Sequence, residues 1–179
     1  MEYSQNTADK LDFFLPDVIK DIVASIQEDN SPYFRFGNWK EISNILELLG
    51  SDKSTEATKY PLIYLSLDNT QEVLNNEENT VSFEIFIIGE SADTYIASER
   101  LENVIKAILQ PIYKDFIEAL KNNKWFYTAG GYVPGITSGV PHTKKELYKV
   151  DSSNKDRNET TQYTDAIYLT FNNITIKKL

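Results

Sequence analysis

A chain of 179 residues, 41% hydrophobic and 12% aromatic, is long enough to bury a core of its own and is read as a single domain, 1–179. It has no cysteine and one histidine, His142, which excludes disulfides, thiolate catalysis, cysteine metal sites and any centre that needs two histidines. The formal charge of -9 argues against gripping a phosphate backbone, which requires basic side chains to release counterions. The same acidity keeps the chain soluble and repels DNA that merely passes nearby.

No apolar run approaches the roughly 20 residues of a membrane span. Met1 to Asn6 is polar, with no basic stretch ahead of an apolar block, so no signal peptide is expected. The reading is therefore a protein made and used from the cytoplasm, with no membrane partner. The sequons Asn158-Glu159-Thr160 and Asn173-Ile174-Thr175 then carry no expectation of glycosylation.

In chain order, Leu11, Phe14, Leu15, Val18, Ile19, Ile22, Val23 and Ile26 form one apolar stripe at helical spacing. Pro16 fits if the regular helix begins there. Tyr33-Phe34-Arg35-Phe36 alternates as a short strand, and Gly37 turns the chain. A second helix follows, with Asn38 and Glu41 spaced as a capping box, Ile42, Ile45, Leu46 and Leu49 as its stripe, and Gly50 at its end.

From Lys59 to Leu120 the pattern predicts a strand, a long connection, a second strand and a long helix. The strands are Tyr60 to Leu67 and Val81 to Ile88. The second carries Val81, Phe83, Ile85 and Ile87 on one face, with Phe86 and Ile88 on the other, as an inner strand would. The Asp68 to Asn79 connection is long for a hairpin and is either a reaching arm or a solvated tip. Asp93 or Thr94 caps the helix, Leu101, Val104, Ile105, Ile108, Ile112, Phe116 and Leu120 line it, and Pro111 kinks it.

Trp125-Phe126-Tyr127 reads as another strand. Ala129 to Glu146 reads as a loop with Gly130-Gly131, Pro134-Gly135, Gly139 and Pro141, followed by a short strand at Leu147 to Val150. Asp151 to Thr161 is polar, and Ala166 to Phe171 with Ile174 and Ile176 give one or two closing strands. The expected class is α/β (α+β): a mostly antiparallel sheet with a long β-hairpin, packed by two to three helices. Mobile loops are expected near 68–79, 129–146 and 151–163.

No catalytic motif is found. Gly130-Gly131-Tyr132-Val133-Pro134-Gly135 has neither the dinucleotide spacing nor the lysine ending of phosphate loops. His142, between Pro141 and Thr143, is read as exposed. Asp68 to Asn79 lacks the glycine and final acid of a calcium loop, and Asp151 to Asp156 places Lys155 where a ligand belongs. Glu84 could belong to a carboxylate pair, but its strand position favours an outward-facing residue. No cofactor, metal or catalytic residue is assigned. Tyr132, Val133, Pro134 and Ile136, on a glycine-rich loop, are candidate subunit-interface residues, either docking against a neighbouring subunit or folding back on the core.

Taken in order, Phe34-Arg35-Phe36-Gly37 with Glu41-Ile42, Lys59-Tyr60-Pro61-Leu62-Ile63, the strand through Ile88, Ser98-Glu99-Arg100-Leu101 and Ile108-Leu109-Gln110-Pro111-Ile112-Tyr113 resemble the tail-terminator family of tailed phages, the lambda tail terminator and its relatives. The string is similar to small tail-completion proteins carried by phages and prophages of Bacteroidetes hosts, and it covers residues 10 to 125 most closely. The resemblance implies an α/β subunit that assembles into a homo-oligomeric ring closing the tail or joining it to the head. Tail-tube or head-connector proteins would be its neighbours, and DNA would pass through the lumen without specific binding. Such a protein would reside in the virion, and in the host cytoplasm during assembly. The alternative is a cytoplasmic protein-binding module; neither reading is an enzyme.

Overall fold

A computed structural model describes residues 14–26, 32–38, 40–41, 60–67, 70–73, 78–92, 94–123, 125–126, 140–151 and 163–177. The first helix, α1 (Leu15–Ser25), starts as its proline requires. Pro16 lies in the first turn, where its missing N–H deprives no carbonyl of a partner. Leu15, Val18, Ile19, Ile22, Val23 and Ile26 are buried as the stripe predicts. Phe14 is not part of that face: it precedes the helix in extended backbone, and its ring is 59% exposed. Leu11 lies outside the described residues.

Strand β1 (Tyr33–Gly37) pairs in parallel with β2 (Leu62–Ser66). Parallel neighbours need a crossover between them, and its first turn shows the predicted reciprocal cap. The Glu41 N–H donates to Asn38 Oδ1 at 3.0 Å, and the Asn38 N–H donates to Glu41 Oε2 at 2.9 Å. The rest of the predicted second helix, Ile42 to Gly50, lies outside the described residues. β2 begins at Leu62, after a cis Tyr60–Pro61 bond, rather than at Tyr60.

The long connection needs correction. Within Asp68 to Asn79 lie β3 (Thr70–Val73) and the start of β4 (Glu78–Ser91), so only residues 74–77 separate these two strands. Both β2 and β3 pair antiparallel with the same edge of β4. Leu65 faces Ile85 and Thr70 faces Ser82, so more residues lie on the first strand than on its partner between these points. The register is thus broken between them, and β2 and β3 form one interrupted arm of the predicted hairpin. Thr70-Gln71-Glu72-Val73 carries no apolar alternation, which is why the pattern reads as loop.

β6 (Tyr163–Lys177) flanks β4 on its other side and pairs in turn with β5 (Thr143–Asp151). The strand order is β1-β2-β4-β6-β5, with β3 beside β4, and every pairing except β1–β2 is antiparallel. The closing segment is one strand, not two. Val81 faces Ile174 and Phe83 faces Phe171, so Ser82 opposes two residues. Asn173 absorbs the irregularity at φ 51, a left-handed conformation that asparagine tolerates, and its N–H donates to Ser82 Oγ at 3.0 Å. β5 is longer than the predicted Leu147 to Val150, and it takes Thr143 to Glu146 out of the predicted loop. Their polarity suits an edge strand, a pattern that mimics loop in sequence.

The long helix has three consecutive parts, α2 (Ala97–Arg100), a π-helical stretch (Leu101–Leu109) and α3 (Gln110–Asn122). Its cap is not Thr94, and Asp93 lies outside the described residues. Ile96 holds the cap position, and its N–H donates to Glu99 Oε2 at 3.0 Å. Pro111 falls in the first turn of α3, so the expected break takes the form of a change in hydrogen-bond register: the Gln110 N–H reaches back to the Ile105 carbonyl. The wider turns rotate the stripe. Leu109 is buried and Ile108 is 38% exposed, reversing the expectation from periodicity. Trp125 and Phe126 do not form a strand. Trp125 sits in a turn whose N–H donates to Asn123 Oδ1 at 2.9 Å, and both rings are buried at the end of the core.

All these helices cover one face of the sheet, where Ile63, Leu65, Phe83, Ile85, Ile87, Ile167, Leu169 and Phe171 meet Ile19, Ile22, Val104, Ile105, Leu109 and Phe116. Gly89 sets how closely the helix approaches. A Cβ there would stand 2.9 Å from Leu109 Cδ2 and 3.3 Å from Val104 Cγ1. The opposite face carries a smaller cluster of Leu62, Tyr64, Ile88 and Ala166 with Tyr60, Phe86 and Leu147.

Candidate functional site

Tyr132, Val133, Pro134 and Ile136, the residues singled out as a subunit interface, lie outside the described residues. The chain is described again from Val140, which is buried in the main core, and the side chains that follow form a polar cluster with α3. His142 lies within it, half-buried rather than exposed. Its Nδ1 is 2.7 Å from the Val140 carbonyl, which can only accept, so Nδ1 carries the proton. Nε2 lies 2.9 Å from the Tyr113 hydroxyl, which can donate to it. Burial raises the Tyr113 pKa above its ordinary value, which keeps that hydroxyl a donor.

The His142 ring also lies 5.3 Å from that of Phe171, and Lys144 Nζ sits 4.9 Å from the centre of the Tyr113 ring. Lys144 donates to Gln110 Oε1 at 2.6 Å and to Glu146 Oε1 at 3.2 Å. These contacts brace α3 against the start of β5. They fix the imidazole at both nitrogens, and they hold the neighbouring ammonium between an amide and a carboxylate.

A second polar cluster is deeper. Arg100 and Asp165 are 3% and 0% exposed and form an ion pair at 2.9 Å. Arg100 Nε donates to the Tyr95 carbonyl at 3.0 Å and Nη2 to the Ala92 carbonyl at 3.1 Å. One guanidinium thus ties the end of β4, the start of the helix and the start of β6 together. Sequence reading assigned neither residue a role, although a signal exists for Asp165. It shares the parity of Ile167, Leu169 and Phe171, which places a carboxylate on the core-facing row, where it needs a paired cation.

On the helix-free face a row of side chains crosses the sheet, with Arg35 in register with Tyr64, Tyr64 with Phe86, Phe86 with Tyr168 and Tyr168 with Lys145. Ring centres are 5.8 Å apart for Tyr64 and Phe86 and 4.6 Å for Phe86 and Tyr168, and Lys145 Nζ lies 6.0 Å from the Tyr168 ring. Glu84 accepts from the Tyr168 hydroxyl, so this acid is bonded to a phenol. Burial and this carboxylate raise the Tyr168 pKa. Among the described residues, no three side chains of the metal-binding types converge, and no described helix is long and apolar enough to cross a membrane.

The two outer strands of the sheet are its other prominent surface. On β1, Tyr33, Arg35 and Phe36 are exposed; on β5, Thr143, Lys145, Glu146 and Tyr148 are exposed. Comparison with protein-family models and with curated proteins finds no match.

Proposed function

We propose that this chain is a structural virion subunit that closes into a ring at the end of a phage tail or at the head–tail junction, as a tail terminator or head–tail joining component. In this reading it catalyses nothing and binds no cofactor, its partners are copies of itself and the tail-tube or connector proteins, and DNA passes through the lumen without specific binding. The observation that carries the reading is where the resembling segments fall. Phe34 to Gly37 is β1, Asn38 and Glu41 form the cap after it, Leu62-Ile63 opens β2, β4 runs through Ile88, and Glu99, Arg100 and Pro111 organise the long helix. A mostly antiparallel sheet packed by helices is also what that resemblance implies. A ring further needs two different faces of one subunit to meet, and among the described residues β1 and β5 end the strand order on opposite sides.

The test is the mass of the full chain over a concentration series, with negative-stain images of the largest species, alone and with a tail-tube or connector protein. Closed rings in either mixture are expected. Discrete one-to-one complexes with a partner and no ring in either case would replace this reading with that of a binding module.

A further inference from the structure

We infer that the chain's own segment 42–59, which joins β1 to β2, docks on the face of the sheet opposite α1 and the long helix. The inference concerns the subunit alone and stands independently of the ring reading. Leu62, Tyr64, Ile88 and Ala166 belong to this face and are between 0% and 2% exposed. Leu62, Ile88 and Ala166 are in register across β2, β4 and β6. A single layer of side chains standing on a sheet leaves its tips in solvent, so burial this complete requires a second layer above it. Neither α1 nor the long helix supplies that layer, because both pack on the other face.

The described residues at both ends of the segment lie on this face. Gly37 shares the parity of Arg35, which is level with Tyr64. A Cβ added to Gly37 would stand 2.8 Å from Glu41 Oε2 and 3.6 Å from Glu41 Cβ. The chain therefore leaves β1 over the face that carries Tyr64. At the return, Tyr60 packs against the cluster of Leu62, Tyr64, Ile88 and Ala166. Burial and then the charge of Glu90 raise the Tyr60 pKa, and Glu90 shares the parity of Ile88.

Chain topology gives the same answer. β1 and β2 are parallel, and so are β4 and β5, which flank β6 and run opposite to it. Each parallel pair is joined by a crossover, and such crossovers are right-handed in about 98% of cases. Along the order β1-β2-β4-β6-β5 both crossovers advance in the same direction, while β4 points opposite to β1 and β2. Two right-handed crossovers that advance alike on oppositely directed strands lie on opposite faces. The β4–β5 crossover is the long helix, on the face of Ile85 and Ile167. The β1–β2 crossover belongs on the other.

Composition separates this segment from the other candidates. Ile42, Ile45, Leu46 and Leu49 supply an apolar stripe to set over Leu62 and Ile88. Residues 152–162 contain no apolar side chain, and residues 27–31 are polar. Residues 127–139 run from Phe126 to Val140, both buried in the main core, and residues 1–13 lead into α1 on that same side. The second layer ends where the sheet face turns polar, at the half-buried Ser82, Glu84 and Thr170. The rings of Tyr64, Phe86 and Tyr168 are aligned as they would be in a stacking platform for single-stranded nucleic acid. Under the segment, Tyr64 is instead the floor of a second, smaller core.

Nuclear Overhauser contacts in the full, unsubstituted chain with labelled methyl groups test the assignment. Methyls of Ile42, Ile45, Leu46 or Leu49 are expected to contact the Tyr64 ring or the Ile88 methyls. Contacts of those four residues with Ile85 or Ile167 instead would put the segment on the helical face and overturn the inference. Contacts of Ile88 with Tyr132, Val133 or Ile136, and none with residues 42–49, would give the layer to a different segment and also overturn it. An equal mixture of differently labelled chains separates contacts within a molecule from those between molecules. Contacts seen only between molecules would make the occupant a second copy, against the inference. Titration with an oligothymidylate reads the remaining occupant. Unmoved Tyr64 and Phe86 resonances are expected, and saturable shifts at both would show a face open to nucleic acid and refute the docked segment.

Discussion

Single side chains carry two of the strongest expectations. Truncating Asp165 to alanine leaves the Arg100 guanidinium buried without its carboxylate, and such a loss costs about 3–5 kcal/mol. Replacing both residues by apolar ones of similar volume should cost distinctly less, because no orphaned charge remains. Urea unfolding of the single and double variants measures the difference; equal losses would mean that packing, not charge, dominates there. Gly89 tests the opposite fault. Gly89→Val drives a branched side chain into Leu109 and Val104, and overpacking of this kind costs about 1–3 kcal/mol. An unchanged midpoint would show that the helix is free to move away. Of the two, only Asp165 is marked in sequence, by its core-facing parity, and that mark does not name its partner. Glycine inside an apolar run is ambiguous, and the partner of Asp165 lies 65 positions away.

At the level of elements, the informative disagreement is on the long helix. Period alone marks Ile108 as core, whereas the π-helical turns before Pro111 bury Leu109 instead. Leu109→Ala should therefore lose about 2–5 kcal/mol, as buried leucines do, while Ile108→Ala should stay within about 1 kcal/mol. Thermal or urea melts of the two variants decide it, and a reversed order would restore the α-helical phase. α1, β1, the Asn38–Glu41 cap and the apolar run of β4 were legible because each obeys a local rule of spacing or capping. β3 and the first half of β5 were not. Their residues are polar, and only the neighbouring strand makes them strands.

For the whole molecule, tyrosine ionisation predicts the response to alkali. Burial raises the Tyr60 pKa far above its ordinary value, with nearby Glu90 adding to the effect, and burial also raises Tyr113 and Tyr168. A phenol that resists ionisation in the folded chain ionises earlier in the unfolded one. Its contribution is therefore complete below about pH 10 and is lost as pH rises above that. Stability should fall steeply in this range, and Tyr60→Phe should flatten the fall. Urea midpoints on either side of pH 10, read beside the phenolate absorbance, test it; a Tyr60→Phe profile as steep as that of the parent chain would point to the other phenols.

The sequence by itself determined the class of the fold, the absence of cysteine chemistry, the stripe of α1, the core face of β4 and the capping of the turn after β1. These follow from local periodicity and from residue types whose chemistry does not depend on distant neighbours. Only the tertiary structure decided that β1 runs parallel to β2, that β2 and β3 are one interrupted arm, that Arg100 meets Asp165, and that His142 is held between Tyr113 and the Val140 carbonyl. Each of these is a contact between residues far apart in the chain. Its free energy comes from burial and pairing in the folded state, and no local pattern encodes which partner will be there.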